Sequence, residues 1–266
     1  MEGKITLLPG EELHTLIADE LYILQRADQF RFGMDAVLLA NWVKVSPKEK
    51  IIDLGTGSGI IPLLIAYKQR AERIIGIEIE TEMVRLAKKS IKLNDLEQSI
   101  EIIQHDLRKI KDLFSPNTFS LVVSNPPYFP LVAGRTNLNP AKSLARHEIA
   151  CTLHELVEVA AYLLGTGGRF SLIHRPERLP ELFLQLLKCN LEPKLLCLIQ
   201  PKAVKRPNLV LVEAVMDGRP GLKIQPNLVV YDQHGEYTLE ILRFYQQGLS
   251  WAEKDLSRQR GWGDEK

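Results

Sequence analysis

The sequence predicts a doubly wound α/β fold, in which helices cover both faces of a mostly parallel sheet of seven strands. Three observations predict it. From about residue 50 onward, short β-branched runs alternate with segments of helical period. A glycine-rich turn follows the first run. The connections between runs are short, which favours a single main domain.

The expected elements follow one another in a regular order. Core strands are expected at 50–54, 73–79, 100–104, 119–124 and 169–174, and a closing hairpin at 195–199 and 209–215. Helices are expected at 60–68, 81–93, 152–164 and 179–189. The segment ahead of the core indicates strands at 5–8 and 21–25 and a short helix at 35–43, and the segment 227–245 indicates one more strand and helix.

These elements divide the chain into three expected parts. Residues 1–45 form a small N-terminal extension that packs on the core, residues 46–250 form the main domain, and residues 251–266 form a flexible tail. We expect a monomer. The longest apolar stretch, over 60–67, is far too short to span a bilayer, so no membrane partner is expected.

Charge and cysteine content narrow the possible partners. The chain has 34 basic and 33 acidic residues, a net charge of +1, so any surface that attracts nucleic acid must be local. Local basic spots occur at Arg135, Lys142, Arg175, Arg178, Lys202, Lys205 and Arg206. The three cysteines form no CxxC pair, which favours a reduced, cytoplasmic setting.

The stretch IIDLGTGSGI, at 51–60, is a buried strand that feeds a glycine-rich turn and then a helix. Such a turn lets backbone approach a nucleoside cofactor over the end of the strand. The third glycine comes one residue too early for a dinucleotide fingerprint, so NAD is disfavoured. A tight turn with no ligand stays open as an alternative. The candidate cofactor contacts here are Asp53, Gly55, Thr56, Gly57 and Gly59.

Acids also follow the next two expected strands. Glu78 ends the second strand, where a carboxylate can accept both ribose hydroxyl protons. Asp106 follows the third strand, where it can accept a hydrogen bond from an adenine amino group, with Leu107 beside it. Glu78 alone would more simply be a solvated strand end. With Asp53, Glu78 and Asp106 place three acids at one edge of the sheet.

The motif Asn125-Pro126-Pro127-Tyr128 follows the fourth strand at the same edge. An amino group on a base is a poor nucleophile, and two acceptors on its hydrogens would free its lone pair. The Asn125 side-chain oxygen and the Pro126 carbonyl can be those acceptors, because the paired prolines keep the backbone extended and out of any ladder. Tyr128 offers a ring on which a base can stack. Asn125 is also a candidate cofactor contact.

The glycine turn, the three acids and the Asn-Pro-Pro-Tyr motif together resemble the class I, Rossmann-like S-adenosylmethionine-dependent methyltransferases. The resemblance implies S-adenosylmethionine as the cofactor, with its methionine part surrounded by Gly55, Gly57 and Gly59, its ribose held by Glu78, and its adenine framed by Asp106 and Leu107. Methyl transfer needs no metal, so His147, Cys151 and His154, at helical spacing, are not expected to bind one.

The motif leaves the substrate open, because adenine-N6, guanine-N2 and protein-glutamine methyltransferases share it. The stretches 31–40, 146–148 and 231–240 are similar to the bacterial valine-tRNA adenine-N6 methyltransferases, which implies an RNA substrate and N6 methylation of an adenine beside the anticodon. Ribosomal RNA guanine-N2 and protein glutamine-N5 remain alternative targets. A cofactor-binding RNA chaperone is the non-enzymatic alternative. Asp35 is a candidate either for the cofactor amino group or for capping the helix that follows it.

Overall fold

The computed structural model describes residues 6–17, 20–29, 33–69, 71, 73–127 and 151–246. Within these ranges no helix is long and apolar enough to cross a bilayer. The predicted tail over 251–266 lies outside the described residues. The predicted division of the chain at residue 45 stays a prediction.

The strands, in chain order, are β1 (Glu11–Ile17), β2 (Leu21–Arg26), β3 (Lys50–Leu54), β4 (Arg73–Glu78), β5 (Ile100–Gln104), β6 (Phe119–Ser124), β7 (Leu164–His174), β8 (Leu191–Lys202), β9 (Leu209–Met216), β10 (Lys223–Ile224) and β11 (Leu228–Tyr231). The helices are α1 (Met34–Trp42), α2 (Ile60–Gln69), α3 (Thr81–Leu93), α4 (Leu153–Leu163), α5 (Leu179–Lys188) and α6 (Leu239–Gln246). Short 3-10 helices lie at Leu107–Asp112 and Pro176–Arg178.

The strands after β2 form one sheet in the order β10-β8-β9-β7-β6-β3-β4-β5, with β11 also paired to β8. The strands from β7 to β5 are parallel. β9 runs antiparallel between β7 and β8, so the predicted closing hairpin is confirmed. The doubly wound class is confirmed, and β10 and β11 extend the seven predicted strands beyond β8.

Helices bury two apolar layers, one on each face of the sheet. One layer contains residues of α1, α2, α3 and α6, and the other contains residues of α4 and α5. The parallel strands are buried on both faces, which is why they appear in the sequence as continuous apolar runs rather than alternating ones. The loops at the carboxyl ends of the strands are left free to build a site.

The N-terminal segment differs from its prediction. The strand expected at 5–8 is wrong: Leu7 and Leu8 are exposed, and the hairpin is formed by β1 and β2 instead. β2 is placed by two side chains of α3. Ser90 Oγ accepts from the Leu24 N–H at 2.9 Å, and Asn94 Oδ1 accepts from the Tyr22 N–H at 2.9 Å. These contacts join distant parts of the sequence, so local patterning did not reveal them.

Glu11 anchors β1 to the same helix. Its side chain is fully buried and forms ion pairs with Arg85 at 2.6 Å and Lys89 at 2.5 Å. Burial acts to raise the pKa of the Glu11 carboxyl, but Lys89, the Leu8 N–H and Arg85 together lower it to about 2. The hairpin is therefore held by a buried charge cluster as well as by apolar packing.

We expect Glu11→Gln to lower the free energy of unfolding at pH 7 by about 2 kcal/mol, because it leaves two cations without their partner. Since the folded pKa lies below the ordinary value of 4.5, the stabilisation is complete above about pH 4.5 and is lost as the pH falls toward 2. Urea denaturation at pH 7 and pH 3 should show the difference between variant and wild type shrinking. An equal difference at both pH values would contradict it. Glu12→Gln, on the same strand and more exposed, is the control.

Candidate active site

The carboxyl ends of β3, β4 and β6 meet at one edge of the sheet. Asp53 in β3 pairs with Gly76 on one side and with Val123 on the other. The hydroxyl of Ser124, the last residue of β6, donates a buried hydrogen bond of 2.8 Å to the carbonyl of Leu54. The glycine turn and the Asn-Pro-Pro motif therefore start from neighbouring strand ends.

The glycine turn is tied to β4 by its backbone. The N–H groups of Gly55 and Thr56 both donate to the carbonyl of Ile77, at 3.0 and 2.9 Å. Gly55 has a φ of +75°, and no atom of the described residues lies within 4 Å of where its Cβ would be, so among these residues the position is open to a ligand. Gly59 has a φ of +80°, and a Cβ there would lie 3.2 Å from the Cβ of Ala87. Gly59 thus allows α3 to pack closely against the turn.

The Glu78 carboxylate organises the same turn. One oxygen accepts from the Gly57 N–H at 2.8 Å, and the other accepts from the N–H groups of Ile79 at 2.8 Å and Glu80 at 3.0 Å. A carboxylate offers about four acceptor positions, so capacity remains for hydroxyl donors of a ribose. The ribose role of Glu78 stays a prediction, and its role in shaping the turn is one that sequence reasoning missed.

Asp53 is a buried acid without a hydrogen-bond partner for either oxygen among the described residues. Burial raises the pKa of this carboxyl to about 7; the nearby Thr56 hydroxyl lowers it in part, and the Glu78 charge raises it further. The Thr56 side chain fits only because position 76 is glycine: a Cβ there would lie within 3.0 Å of it. Sequence reasoning did not single out Gly76, although a glycine inside a β-branched strand is a signal of close approach.

Asp106 is placed at the predicted edge but already has a partner. Its carboxylate pairs with Arg108 at 2.7 Å and also accepts from the Arg108 N–H at 3.0 Å. The Arg108 side chain holds the pKa of the Asp106 carboxyl below its usual value. Leu107 packs at the margin of the apolar layer that contains α4. An adenine amino group would therefore share the Asp106 carboxylate with Arg108. The adenine contacts of Asp106 and Leu107 stay predictions.

The structure describes the first three residues of the Asn-Pro-Pro-Tyr motif. Asn125 and Pro126 are half-buried and Pro127 is exposed. Tyr128 lies outside the described residues, as do the other residues singled out in this segment, Arg135, Lys142, Arg146, His147 and Glu148. The catalytic assignment of Asn125, Pro126, Pro127 and Tyr128 stays a prediction.

Asp35 does not act as the N-cap that was considered for it. The N-cap of α1 is Gly33, and Asp35 lies within the first turn, where its Oδ1 accepts from the Ala36 N–H at 3.0 Å. A Cβ at Gly33 would lie 2.6 Å from that oxygen, so the carboxylate lies over the glycine. Its contact with the cofactor amino group stays a prediction.

Metal-binding groups do not gather within the described ranges, which contain no cluster of three or more His, Cys, Asp or Glu residues placed for an ion. His147 lies outside those ranges. His154 faces Glu158 at 3.4 Å, and burial raises the pKa of the Cys151 thiol to about 12. His154 is therefore next to a carboxylate, and the Cys151 thiol stays protonated at neutral pH.

His174 is a buried residue at this edge that sequence reasoning missed. It ends β7, the strand next to β6, and is 2% exposed. Its Nδ1 accepts from the Arg175 N–H at 2.8 Å, so the ring proton lies on Nε2. Burial, together with the Arg178 charge, lowers the pKa of His174 to about 4, so the ring is neutral at pH 7. A histidine at the end of an expected core strand was the available signal.

We expect Asp53→Asn to stabilise the cofactor-free protein at pH 8 by about 1–3 kcal/mol. Because the folded pKa of about 7 lies above the ordinary 3.8, the folded state favours the protonated acid, and ionisation destabilises the fold progressively as the pH rises to about 7. Urea denaturation at pH 5 and pH 8 should show a loss of stability in the wild type that the variant lacks. The same variant should bind S-adenosylmethionine more weakly by calorimetry. Identical pH profiles for the two proteins would contradict the burial of an unpartnered acid.

Comparisons with known proteins agree with this architecture. Residues 31–186 match the methyltransferase small domain family. A protein of Tolumonas auensis named tRNA1(Val) (adenine(37)-N6)-methyltransferase is 28% identical over 230 residues, which cover 86% of this chain and 94% of its own. A protein of the same name from Pasteurella multocida is 29% identical over 210 residues, which cover 78% and 84%.

Solved structures show the same fold. A predicted O-methyltransferase from Agrobacterium tumefaciens has a TM-score of 0.65 at 23% identity and covers 80% of this chain and 95% of its own. The fold expected from the sequence and the resemblance to methyltransferases are thereby confirmed. The match over 31–186 spans more than half of the 266 residues. The chain belongs to the methyltransferase small domain family and is a methyltransferase with a Rossmann-like core.

Proposed function

We propose that this methyltransferase transfers the methyl group of S-adenosylmethionine to the exocyclic N6 nitrogen of an adenine in tRNA. The observation that carries the proposal is the position of Asn125 and Pro126. They leave the end of β6 beside the glycine turn, to which β6 is joined by the hydrogen bond from Ser124 to Leu54. Amide acceptors and a cofactor turn at neighbouring strand ends fit the methylation of an amino group.

The residues around the glycine turn fit the cofactor. The space above Gly55, the remaining acceptor positions of Glu78 and the buried carboxyl of Asp53 lie together at this edge. S-adenosylmethionine supplies an electrophilic methyl group on a sulfonium cation. The unpartnered Asp53 carboxyl would gain a positively charged neighbour, which offsets part of the cost of its burial.

The amino group of adenine needs activation, because its lone pair is delocalised into the ring. The Asn125 side-chain oxygen and the Pro126 carbonyl accept its two hydrogens and favour a tetrahedral nitrogen. With S-adenosylmethionine bound, the nitrogen would form its new bond to the methyl carbon as the carbon–sulfur bond breaks, which would leave S-adenosylhomocysteine. The nitrogen would then release one proton to solvent, so no strong base is required. Tyr128, by its place in the motif, provides a stacking surface for the flipped base.

The names of the relatives support the choice of adenine and tRNA. Both relatives are named for N6 methylation of adenine 37 in a valine tRNA. Action on tRNA would place the enzyme in the cytoplasm.

We expect Asn125→Ala to reduce methyl transfer to tRNA by at least about a hundredfold, since one of the two acceptors is lost from the transition state. Binding of S-adenosylmethionine, measured by calorimetry, should change little. Asn125→Asp keeps an oxygen acceptor and should retain more activity than the alanine variant. Undiminished transfer by Asn125→Ala would end the catalytic assignment.

The substrate class has its own test. Incubation with methyl-labelled cofactor and fractionated cell RNA and protein should place the label in tRNA, as N6-methyladenosine on nucleoside mass spectrometry. Label in ribosomal RNA as N2-methylguanosine, or in protein as methylglutamine, would support one of the two alternative enzymes. Absence of label in every fraction would favour a cofactor-binding protein without catalysis.

A further inference from the structure

A loop rich in positive charge rises at the same edge of the sheet as the candidate active site. Through the paired strands β7 and β9, Ser124 at the end of β6 lies level with Leu196 in β8. β8 then continues to Lys202, which carries it roughly 20 Å beyond that level, and three strand spacings place it roughly 14 Å to the side. We call the loop over 202–206 the basic ridge.

The cations of the basic ridge have no acidic partner among the described residues. In the described part of the chain, Lys202, Lys205 and Arg206 form no ion pair and no side-chain hydrogen bond, and Lys205 and Arg206 are exposed. Most other described arginines have an acidic partner; these are Arg26, Arg73, Arg85, Arg108, Arg169 and Arg178. Three unpaired cations on one loop form a local positive field in a chain of net charge +1.

Hydrogen bonds from β8 and within the loop hold the backbone of the basic ridge in place. The Gln200 side-chain amide donates to the carbonyl of Lys205 at 2.8 Å, and its oxygen accepts from the Asn227 side chain at 3.0 Å. The Lys205 N–H also donates to the carbonyl of Lys202 at 2.9 Å, which closes a turn. The ridge therefore presents its charges at defined positions.

The turn after β11 supports the basic ridge from its outer side. Tyr231 pairs in register with Lys202, and the Lys202 Nζ lies 3.9 Å from where a Cβ would be at Gly235. The Tyr237 ring stacks against Tyr231, at 5.1 Å, and against Tyr245, at 5.9 Å. The basic ridge itself contains no aromatic residue, so it has no ring on which a base can stack.

We propose that the basic ridge binds the phosphate backbone of the RNA whose target base enters the candidate active site. The inference rests on the proposed function and adds where the substrate is held. Unpaired cations without an open aromatic face fit phosphates rather than bases. The separation from the Asn-Pro-Pro motif exceeds the size of one nucleoside, so the ridge contacts parts of a folded RNA away from the target. A short oligonucleotide would not reach it.

The test removes the three charges together, as Lys202→Ala/Lys205→Ala/Arg206→Ala in the full chain. The matched control, Lys44→Ala/Lys48→Ala/Lys50→Ala, removes three exposed and unpaired lysines at the opposite edge of the sheet. Binding of tRNA is measured by fluorescence anisotropy over a series of salt concentrations. Methylation of full-length tRNA and of a short single-stranded RNA with the same target is measured in parallel.

We expect the ridge variant to bind tRNA at least about tenfold more weakly, with a salt dependence reduced by about 2–3 in the slope of log K against log salt. Its KM for tRNA should rise while kcat and cofactor binding stay unchanged, and its activity on the short RNA should equal that of the wild type. The control should match the wild type throughout. Lys205→Glu alone should weaken tRNA binding in the same direction.

Several results would overturn the inference: wild-type tRNA affinity and salt slope in the ridge variant, an equal loss in the control, or no tRNA binding by the wild type. Binding to anionic phospholipid vesicles is measured in parallel. Its loss in the ridge variant, with tRNA affinity unchanged, would overturn the inference in favour of a membrane contact. If the wild type binds tRNA but methylates no adenine, the proposed function fails, and the binding comparison still decides the ridge.

Discussion

The hydrogen bonds that hold the glycine turn between two neighbouring strands are the constraint on which the site depends. Gly55 and Thr56 donate to the carbonyl of Ile77 on one side, and Ser124 donates to the carbonyl of Leu54 on the other. Because the acceptors are backbone carbonyls at strand ends, the bonds fix the turn relative to the sheet. The cofactor turn, the acid ending β4 and the motif after β6 are thereby brought to one place.

Three buried or half-buried acids illustrate how the fold handles negative charge. Glu11 is balanced by two cations, and Glu78 is balanced by three backbone N–H groups. Asp53 has neither kind of partner among the described residues, and burial keeps its pKa near 7. An uncompensated acid destabilises a fold, so it is expected where a bound ligand supplies the missing charge. Asp53 therefore differs from the other two acids, whose charge is balanced within the described residues.

The distribution of positive charge follows a similar division. Arginines at the hairpin, at the sheet edges and beside Asp106 are paired with acids, so they contribute to structure more than to any external field. The cations of the basic ridge have no acidic partner in the part of the chain that the structure describes, and their loop is positioned by Gln200 and Asn227. In a nearly neutral chain, such a loop produces a local positive field. Binding then depends on the shape of the partner as well as its charge.

The sequence by itself determined the order of strands and helices, the doubly wound class, the glycine turn and the motif after β6, because β-branched runs, helical periodicity and short Gly and Pro patterns are local signals. Only the tertiary structure decided that β1 begins at Glu11 and that Glu78 accepts a hydrogen bond from the glycine turn. It also decided that Arg108 forms an ion pair with Asp106 and that β8 continues past the level of Ser124 as far as Lys202. The contact of Glu78 with Gly57 joins residues 21 apart in the chain, and all four features depend on register, burial or side-chain direction. Those properties arise when elements pack against one another, and no stretch of sequence encodes them alone.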